Sequence, residues 1–351
     1  MAPPTIPIAH NDGPNHQTRE RRDMADADNI ILESIFHPYA MEQMEVFAKK
    51  GDGQVSFVHY TSARAALGII KSKRVWLRNV TGMCDYSEVL YGQSLLRNVL
   101  YNDSEKRLTA LTEAVDGCAP GATAEAIRLF NQSWNDIRCN TYVTCISEHC
   151  KEEDEHGRLS MWRAFGGTDV RVAIVFKFSY SLLRANVFSL VVSPVAYVGE
   201  RQLQTEFYRV VGNIHKNRDF LKSVGREQIV TSLYNMLVAA VTCLKHEGFK
   251  EECEWRLIYA PVRWPSALIE QERSTEDIGG IPQIIYKIPL DANTPNAPEG
   301  LKQLDFSRLF DRLIVGPTAY PYSMLEAFVA ELQKAGVPEP RILLSRIPIR
   351  M

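Results

Sequence analysis

The sequence predicts an α+β fold with a mixed central β-sheet, flanking helices and one helical insert. Segments with the alternating or continuously apolar pattern of strands occur along most of the chain, and segments of helical pattern lie between them. The largest helical block, about residues 87–138, separates two strands and is therefore interpreted as the insert. The 351 residues are enough to bury a large core, and no linker divides them. We expect a single domain over residues 27–351.

Composition and charge are typical of ordinary soluble globular proteins. Hydrophobic residues make up 45% of the chain and charged residues 23%, and the formal net charge of -2 gives no overall attraction to nucleic acid or membrane. Residues 1–26 are rich in proline and charge and are expected to be disordered. The seven scattered cysteines favour free thiols in a reducing cytoplasm. No apolar run is long enough to cross a bilayer, so a cytoplasmic protein without membrane association is expected.

The individual elements follow from hydrophobic periodicity and from the residues that end it. Before the insert, the patterns predict a helix interrupted at Pro38, a strand, a helix capped by Thr61-Ser62 and a second strand, at residues 28–50, 55–60, 63–71 and 75–78. Within the insert they predict three helices, at residues 87–100, 103–116 and 121–138. After it, strands are predicted at residues 141–147, 170–178, 187–198, 252–259, 283–289, 313–317 and 341–347. The later helices are predicted at residues 200–221, 226–245 and 322–335.

The stretch from Glu251 to Tyr259 combines acidic residues with a strand pattern. Side chains alternate between the two faces of a strand, so Glu252, Glu254 and Arg256 are expected to share one face, with Trp255 on the other. Two carboxylates and a guanidinium could orient a sugar hydroxyl or stabilise a developing positive charge. Spacing alone favours a solvated acidic edge beside a buried Trp255.

A second candidate region begins at His59. His59 and Tyr60 are predicted at the carboxyl end of a strand, facing the amino end of the next helix, which is a favourable place for an anionic ligand. The alternative is that His59 only packs or caps locally. The sequence has no glycine-rich dinucleotide fingerprint, phosphate-binding loop, His-Glu-x-x-His or Gly-x-Ser-x-Gly motif. The cysteines and histidines between residues 139 and 156 match no regular zinc spacing, so no metal is predicted.

Several segments, in order, resemble a bacterial family described as domain of unknown function 2971. They are Phe57-Val58-His59-Tyr60-Thr61-Ser62 with Val75-Trp76-Leu77-Arg78-Asn79, Tyr142 to Glu148, Met161-Trp162, Glu252-Cys253-Glu254-Trp255-Arg256-Leu257-Ile258, Ile314-Val315-Gly316-Pro317 and Leu343 to Arg350. The chain is identified as a member of that family over about residues 55–350. Phe165 stands where many members carry tyrosine, and the insert is larger than is typical.

The order of these parts is in turn similar to that of ADP-ribosyltransferases, which implies a split central sheet and the use of NAD. The resemblance implies that Glu254 stabilises an oxocarbenium-like transition state, that Glu252 orients the nucleophile and that His59 binds NAD. It further implies an NAD site that includes Tyr60, Thr61, Arg78, Ser147, Trp162 and Arg256. The implied activity is an ADP-ribosyltransferase or NAD glycohydrolase of the toxin or phage-defence type, with a protein or nucleic acid as acceptor.

Two other functions stay open on the sequence. In the first, the chain is a non-catalytic module in which His59, Trp162 and Arg256 recognise a nucleotide or a protein, while Glu254 pairs with an arginine to hold the sheet. In the second, it is a nuclease with Glu252, Glu254 and Asp85 as metal ligands. The transferase requires His59, Trp162 and Glu254 to converge on one cleft.

Overall fold

The fold was analysed in a computed structural model, which describes residues 27–51, 53–83, 86–101, 106–164, 169–184, 187–294 and 299–348. The segment 1–26, expected to be disordered, lies outside the described residues, as do Asp85 and Phe165. Among the residues searched, no helix is long and apolar enough to cross a membrane.

The described chain contains helices and strands in mixed order, with runs of consecutive helices from α4 to α7 and from α10 to α12. The helices are α1 (27–36), α2 (Pro38–Lys50), α3 (Ala63–Ser72), α4 (Tyr86–Tyr101), α5 (Arg107–Asp116), α6 (Ala122–Gln132), α7 (Trp134–Cys139), α8 (Leu159–Ala164), α9 (Tyr180–Arg184), α10 (Glu200–Lys216), α11 (Arg218–Val224), α12 (Arg226–Thr242), α13 (Ala267–Gln271), α14 (Phe306–Leu309) and α15 (Pro321–Lys334). The strands are β1 (Gln54–Ser62), β2 (Arg74–Asn79), β3 (Tyr142–Glu148), β4 (Arg171–Ser179), β5 (Val191–Pro194), β6 (Ala196–Tyr197), β7 (Leu244–Lys245), β8 (Glu254–Tyr259), β9 (Ser274–Ile278), β10 (Ile281–Pro289), β11 (Phe310–Val315) and β12 (Ile342–Leu344).

The predicted α+β class, with a mixed central sheet and flanking helices, is confirmed. The Ser62 hydroxyl accepts a hydrogen bond from the backbone amide of Ala65 at 3.2 Å, so it caps α3 as expected. The helix predicted over residues 28–50 is divided at Pro38, which opens α2. Among the local predictions that were wrong, two concern whole strands. Residues 274–278, where neither a helix nor a strand was predicted, form β9, because their backbone pairs with β10. Residues 187–198 do not form one strand, since Pro194 ends β5.

The central sheet branches at β3. Eight strands follow the order β12-β11-β4-β1-β3-β2-β10-β9, and β8 also pairs with β3 while β5 pairs with β8. β8 covers β3 from Tyr142 to Ser147, whereas β1 pairs only with residues 147–148 and β2 only with residues 142–143. A strand has two edges, so β1 and β2 share the second edge of β3 and separate along residues 144–146. We call this separation the sheet split.

The insert builds a helical layer rather than an isolated appendage. Buried residues of α4, α5 and α6 form one apolar cluster with those of α1, α10 and α12, among them Val99, Leu111, Phe130, Ile214 and Leu237. Burial of this surface stabilises the layer by about 25 cal/mol per Å² of apolar area removed from water. The insert therefore packs against elements that come both before and after it in the chain.

Candidate functional site

The pairing of β1, β3 and β8 assigns the candidate residues to opposite faces of the sheet. Residues directly opposite one another on paired strands point to the same side. Ser147 lies opposite both Val58 and Glu254, so these three side chains share one face. Tyr60 and Arg256 lie two residues further along their strands and share it as well. His59 follows Val58 directly and therefore points to the other face.

This assignment contradicts the expected convergence of His59 with Trp162 and Glu254. Trp162 packs with Val58 and Tyr60, on the face that carries Glu254. His59 lies on the far side of the sheet. Its predicted position at the end of a strand is also wrong, because β1 continues to Ser62 and pairs with β4 throughout. His59 lies within β1, whose side chains alternate between the two faces of the sheet. It therefore points away from the face that carries Trp162 and Glu254.

Glu254 lies in a buried ionic cluster. We define the Lys245 cluster as Glu88, Lys245, Glu252, Glu254 and Arg256. The Lys245 ammonium donates hydrogen bonds to Glu252 at 2.6 Å, to Glu254 at 3.0 Å and to Glu88 at 2.9 Å. A lysine has three donors, so all three are used. The solvated acidic edge that spacing favoured is therefore wrong for Glu254, of which 5% is exposed.

Arg256 completes the enclosure of Glu254. Its Nε donates to the second carboxylate oxygen of Glu254 at 2.8 Å, its Nη1 donates to the Thr242 carbonyl at 2.6 Å, and its Nη2 pairs with Glu88. Both Glu254 oxygens thus already accept hydrogen bonds from cations. Arg256 and Lys245, opposing the effect of burial, hold the pKa of Glu254 at about 2.

Lys245 also binds Glu252, but the pKa of Glu252 is raised whereas that of Glu254 is lowered. It lies in a short 3-10 helix, Glu247–Glu252, and not in the strand predicted for it, because Cys253 adopts a left-handed backbone conformation that precedes β8. The cluster holds three carboxylates and two cations. Burial, together with the neighbouring Glu254 and Glu88 carboxylates, raises the pKa of Glu252, while Lys245 opposes the change.

Trp162 and Tyr60 are packing residues whose polar atoms are bonded within the protein. Trp162 is 2% exposed, and its indole nitrogen donates to the His156 carbonyl at 2.7 Å. The Tyr60 ring meets it edge-on with 5.0 Å between ring centroids. The Tyr60 hydroxyl accepts a hydrogen bond from the Arg158 amide at 2.7 Å. Neither ring offers a free face of the kind that stacking on nicotinamide requires.

The remaining predicted site residues are distributed over both faces. Ser147 is buried beside Glu254, whereas Thr61 lies on the His59 side, opposite Val172. Arg78 donates to the Gly82 carbonyl at 3.0 Å, and its Nε is buried without a hydrogen-bond partner among the described residues. The predicted NAD-binding residues therefore do not line one common cleft.

The metal-ligand arrangement of the nuclease alternative has no counterpart in the described part of the chain. No group of three or more His, Cys, Asp or Glu side chains there is placed to hold a metal ion. Asp85 lies outside the described residues. The Lys245 ammonium stands between the Glu252 and Glu254 carboxylates, where a shared metal ion would have to bind.

A ligand-sized cavity lies on another part of the molecule. It has a volume of about 870 Å³ and extends from α1 and α2 to the open edge of β5 and the side of α12. Its polar lining consists of the imidazole of His37 and of carboxamide, hydroxyl, thiol and two carboxylate groups. The carboxamide and hydroxyl residues are Asn29, Gln228, Asn235, Ser193, Thr231, Ser232 and Thr242. We call it the α1–α12 cavity.

The described lining of the α1–α12 cavity includes no cationic side chain. None of the described residues that line it is lysine or arginine, and its acidic residues are Glu33 and Glu227. Burial lowers the pKa of His37 from 6.5 to about 4, so its imidazole is neutral near pH 7. The lining therefore suits an uncharged molecule with hydrogen-bonding groups and disfavours a phosphate or pyrophosphate.

Sequence reasoning missed the residues that decide the chemistry of both places. Lys245 binds Glu254, and Glu88 pairs with both Lys245 and Arg256, but no local motif marks Lys245 or Glu88. His37 stands next to Pro38 between two helices, where the sequence indicates only a break. Periodicity predicts helix α1, whose packing buries His37. The cavity beside His37 also depends on where β5 lies, which periodicity does not predict.

Part of the chain matches a known protein family. Residues 161–257 match the family described as Protein of unknown function (DUF2971). This segment runs from Met161 in α8 into β8 and includes the Glu252 to Arg256 motif, and it confirms the family recognised from the sequence. No curated protein and no solved structure matches the chain.

Proposed function

We propose that this protein is a non-catalytic ligand-binding protein and that the α1–α12 cavity is its binding site. The observation that carries the proposal is a cavity of about 870 Å³ whose described lining combines neutral hydrogen-bonding groups with apolar walls and includes no lysine or arginine. Ligand sites in proteins commonly measure 300–1,000 Å³ and combine an apolar lining with a few polar groups. The most fitting ligand class is an uncharged heterocycle with several donors and acceptors, such as a nucleoside.

The walls of the cavity support this ligand class. Trp264, Val238 and Ile258 supply apolar surface for a flat ring. The neutral His37 and the Asn235 carboxamide supply both donor and acceptor capacity, which a ring edge with mixed polarity requires. Ser193 and Thr242 donate their hydroxyl protons to backbone carbonyls, and the Thr242 oxygen also lies 3.7 Å from the Cys243 sulfur.

The Lys245 cluster favours binding over catalysis through Glu254. A carboxylate that stabilises positive charge on a substrate must reach that substrate. Here Lys245 and Arg256 occupy both oxygens of Glu254, as in the alternative in which this residue holds the sheet. Cleavage of NAD through Glu254 stays a prediction, and it requires that both cations release the carboxylate.

Calorimetric titration tests the proposal with three probes: adenosine, NAD and inorganic pyrophosphate. We expect adenosine to bind, pyrophosphate to give no heat, and NAD to bind more weakly than adenosine, because its pyrophosphate meets no cation in the cavity. Ala239→Phe, which adds a ring to the cavity wall, is expected to abolish adenosine binding. Glu254→Gln is the matched control and is expected to leave it unchanged.

The opposite pattern would refute the proposal. If NAD binds more tightly than adenosine, and Glu254→Gln rather than Ala239→Phe removes that binding, the site lies at the Lys245 cluster and the transferase function gains support. Measuring nicotinamide release in the same samples separates binding from cleavage.

A further inference from the structure

The sheet split contains a second cavity on the His59 face. Its volume is about 100 Å³, and several lining side chains, including Ile146 and Leu257, are partly exposed, so it opens toward the surface. Of the described residues that line it, only His59 and Thr144 carry polar side chains. The other described lining residues are aliphatic or phenylalanine, and none of them is charged. We call it the split cavity.

The hydrogen bond of His59 fixes its tautomer. Its Nδ1 lies 3.0 Å from the Cys145 carbonyl oxygen. Cys145 lies in the part of β3, residues 144–146, where neither β1 nor β2 pairs with the second edge of the strand. A carbonyl oxygen can only accept, so Nδ1 carries the proton. Burial lowers the pKa of His59, which keeps the ring neutral near pH 7. Nε2 is then an acceptor with a lone pair and no proton.

We propose that the split cavity binds a small uncharged molecule with an apolar body and one hydrogen-bond donor, which His59 Nε2 accepts. Phenol is the simplest molecule of this class. An apolar protein cavity of about 150 Å³ accommodates benzene. The split cavity is smaller, about 100 Å³, so one ring is the largest body it takes, and that ring reaches toward the surface opening. An ionised ligand is disfavoured because no residue of the lining carries an opposite charge, and desolvation of an unpaired charge costs several kcal/mol.

This site is distinct from the proposed site in the α1–α12 cavity. The two cavities share the aliphatic residues Leu183, Leu190 and Val192 as a common wall, but their polar groups differ. His59 belongs to the split cavity alone, and His37 belongs to the α1–α12 cavity alone. The two proposals can therefore fail separately.

Phenol and toluene form a matched pair of probes, because they have similar size and only phenol can donate. In titrations of the protein at pH 7, phenol is expected to bind about tenfold more tightly than toluene, which corresponds to one hydrogen bond. His59→Leu is expected to reduce phenol affinity to that of toluene and to leave toluene within about twofold. Thr144→Val, which removes the other polar group, is expected to preserve the preference for phenol.

A second measurement does not depend on any variant. In the wild-type protein, the nitrogen NMR signal of His59 Nε2 is expected to shift when phenol is added and to stay in place when toluene is added. Equal affinity for the two probes, absence of phenol binding, or an unchanged preference in a folded His59→Leu protein would each overturn the proposal.

Discussion

The substitution Glu254→Gln separates a structural role for this residue from a catalytic one. It keeps the shape of the side chain and removes the charge that Lys245 and Arg256 bind at 3.0 and 2.8 Å. Removing one partner of a buried ion pair costs about 3–5 kcal/mol. The pKa gives a similar figure. A value of about 2, against 4.5 for a free glutamate, corresponds to about 3 kcal/mol.

The effect of pH on this contribution has a definite sign. The folded protein holds the Glu254 pKa below its unfolded value, so the stabilisation is complete above about pH 4.5 and decreases as the pH falls toward about 2. About 2 kcal/mol of it is expected to be lost by pH 3. Glu254→Gln should therefore differ from the wild type by about 3 kcal/mol at pH 7 and by much less at pH 3.

Urea denaturation at the two pH values measures these differences, with Glu251→Gln as the matched control because the Glu251 side chain is exposed. For 351 residues, an unfolding entropy of about 2.1 cal/mol/K per residue converts a 3 kcal/mol loss into a Tm decrease of about 4 °C. If Glu254→Gln is as stable as Glu251→Gln at pH 7, the assignment of Glu254 to a stabilising cluster is wrong. Loss of NAD turnover at unchanged stability would instead indicate catalysis.

Three further predictions concern other parts of the protein. Glu252→Gln should cost less than about 1 kcal/mol at pH 7 in urea denaturation, because burial and the neighbouring Glu254 and Glu88 carboxylates already disfavour the ionised form of Glu252; a loss as large as 3 kcal/mol would contradict this. His37→Gln should flatten the rise in stability between about pH 4 and 6.5. In that range the His37 imidazole is protonated in the unfolded protein but neutral in the folded protein, so folding must release a proton. An unchanged pH profile of stability would show that His37 is solvated. Gly157→Ala should lower stability by at least 1 kcal/mol more than Gly279→Ala. Both glycines have a positive φ near 65°, but only the methyl group added at residue 157 would meet the Trp162 ring, at 2.5 Å. Equal losses of stability would mean that the ring moves freely.

Local patterns predicted most elements because their causes are local. Pro38 divides the first helical region, and Ser62 caps α3, through interactions within four residues. Strands β9 and β5 were mispredicted because their extent depends on partners, β10 for the first and β8 for the second. Polar residues on a strand edge give no periodic signal, so the sequence alone could not show that β9 pairs.

The site was harder to predict because it depends on which face of the sheet a residue occupies. Alternation correctly placed Glu254 and Arg256 together and Trp255 opposite them, where it packs on Phe57. The end of β1 was predicted too early, so His59 was expected at a helix end rather than inside the sheet split. A difference of a few residues in strand length changes what surrounds a side chain.

By itself the sequence determined the α+β class, the helical insert, the family resemblance that the match over residues 161–257 supports and the pairing of Glu254 with Arg256, because these depend on local sequence patterns and on neighbours a few residues apart. Only the tertiary structure decided that Lys245 binds Glu254 and Glu88, that His59 lies across the sheet from Trp162, and that His37 borders a cavity whose described lining has no cation. The physical reason is that desolvation and charge pairing act between atoms in space. Residues 88, 245 and 254 become neighbours only when the helical layer packs on the sheet.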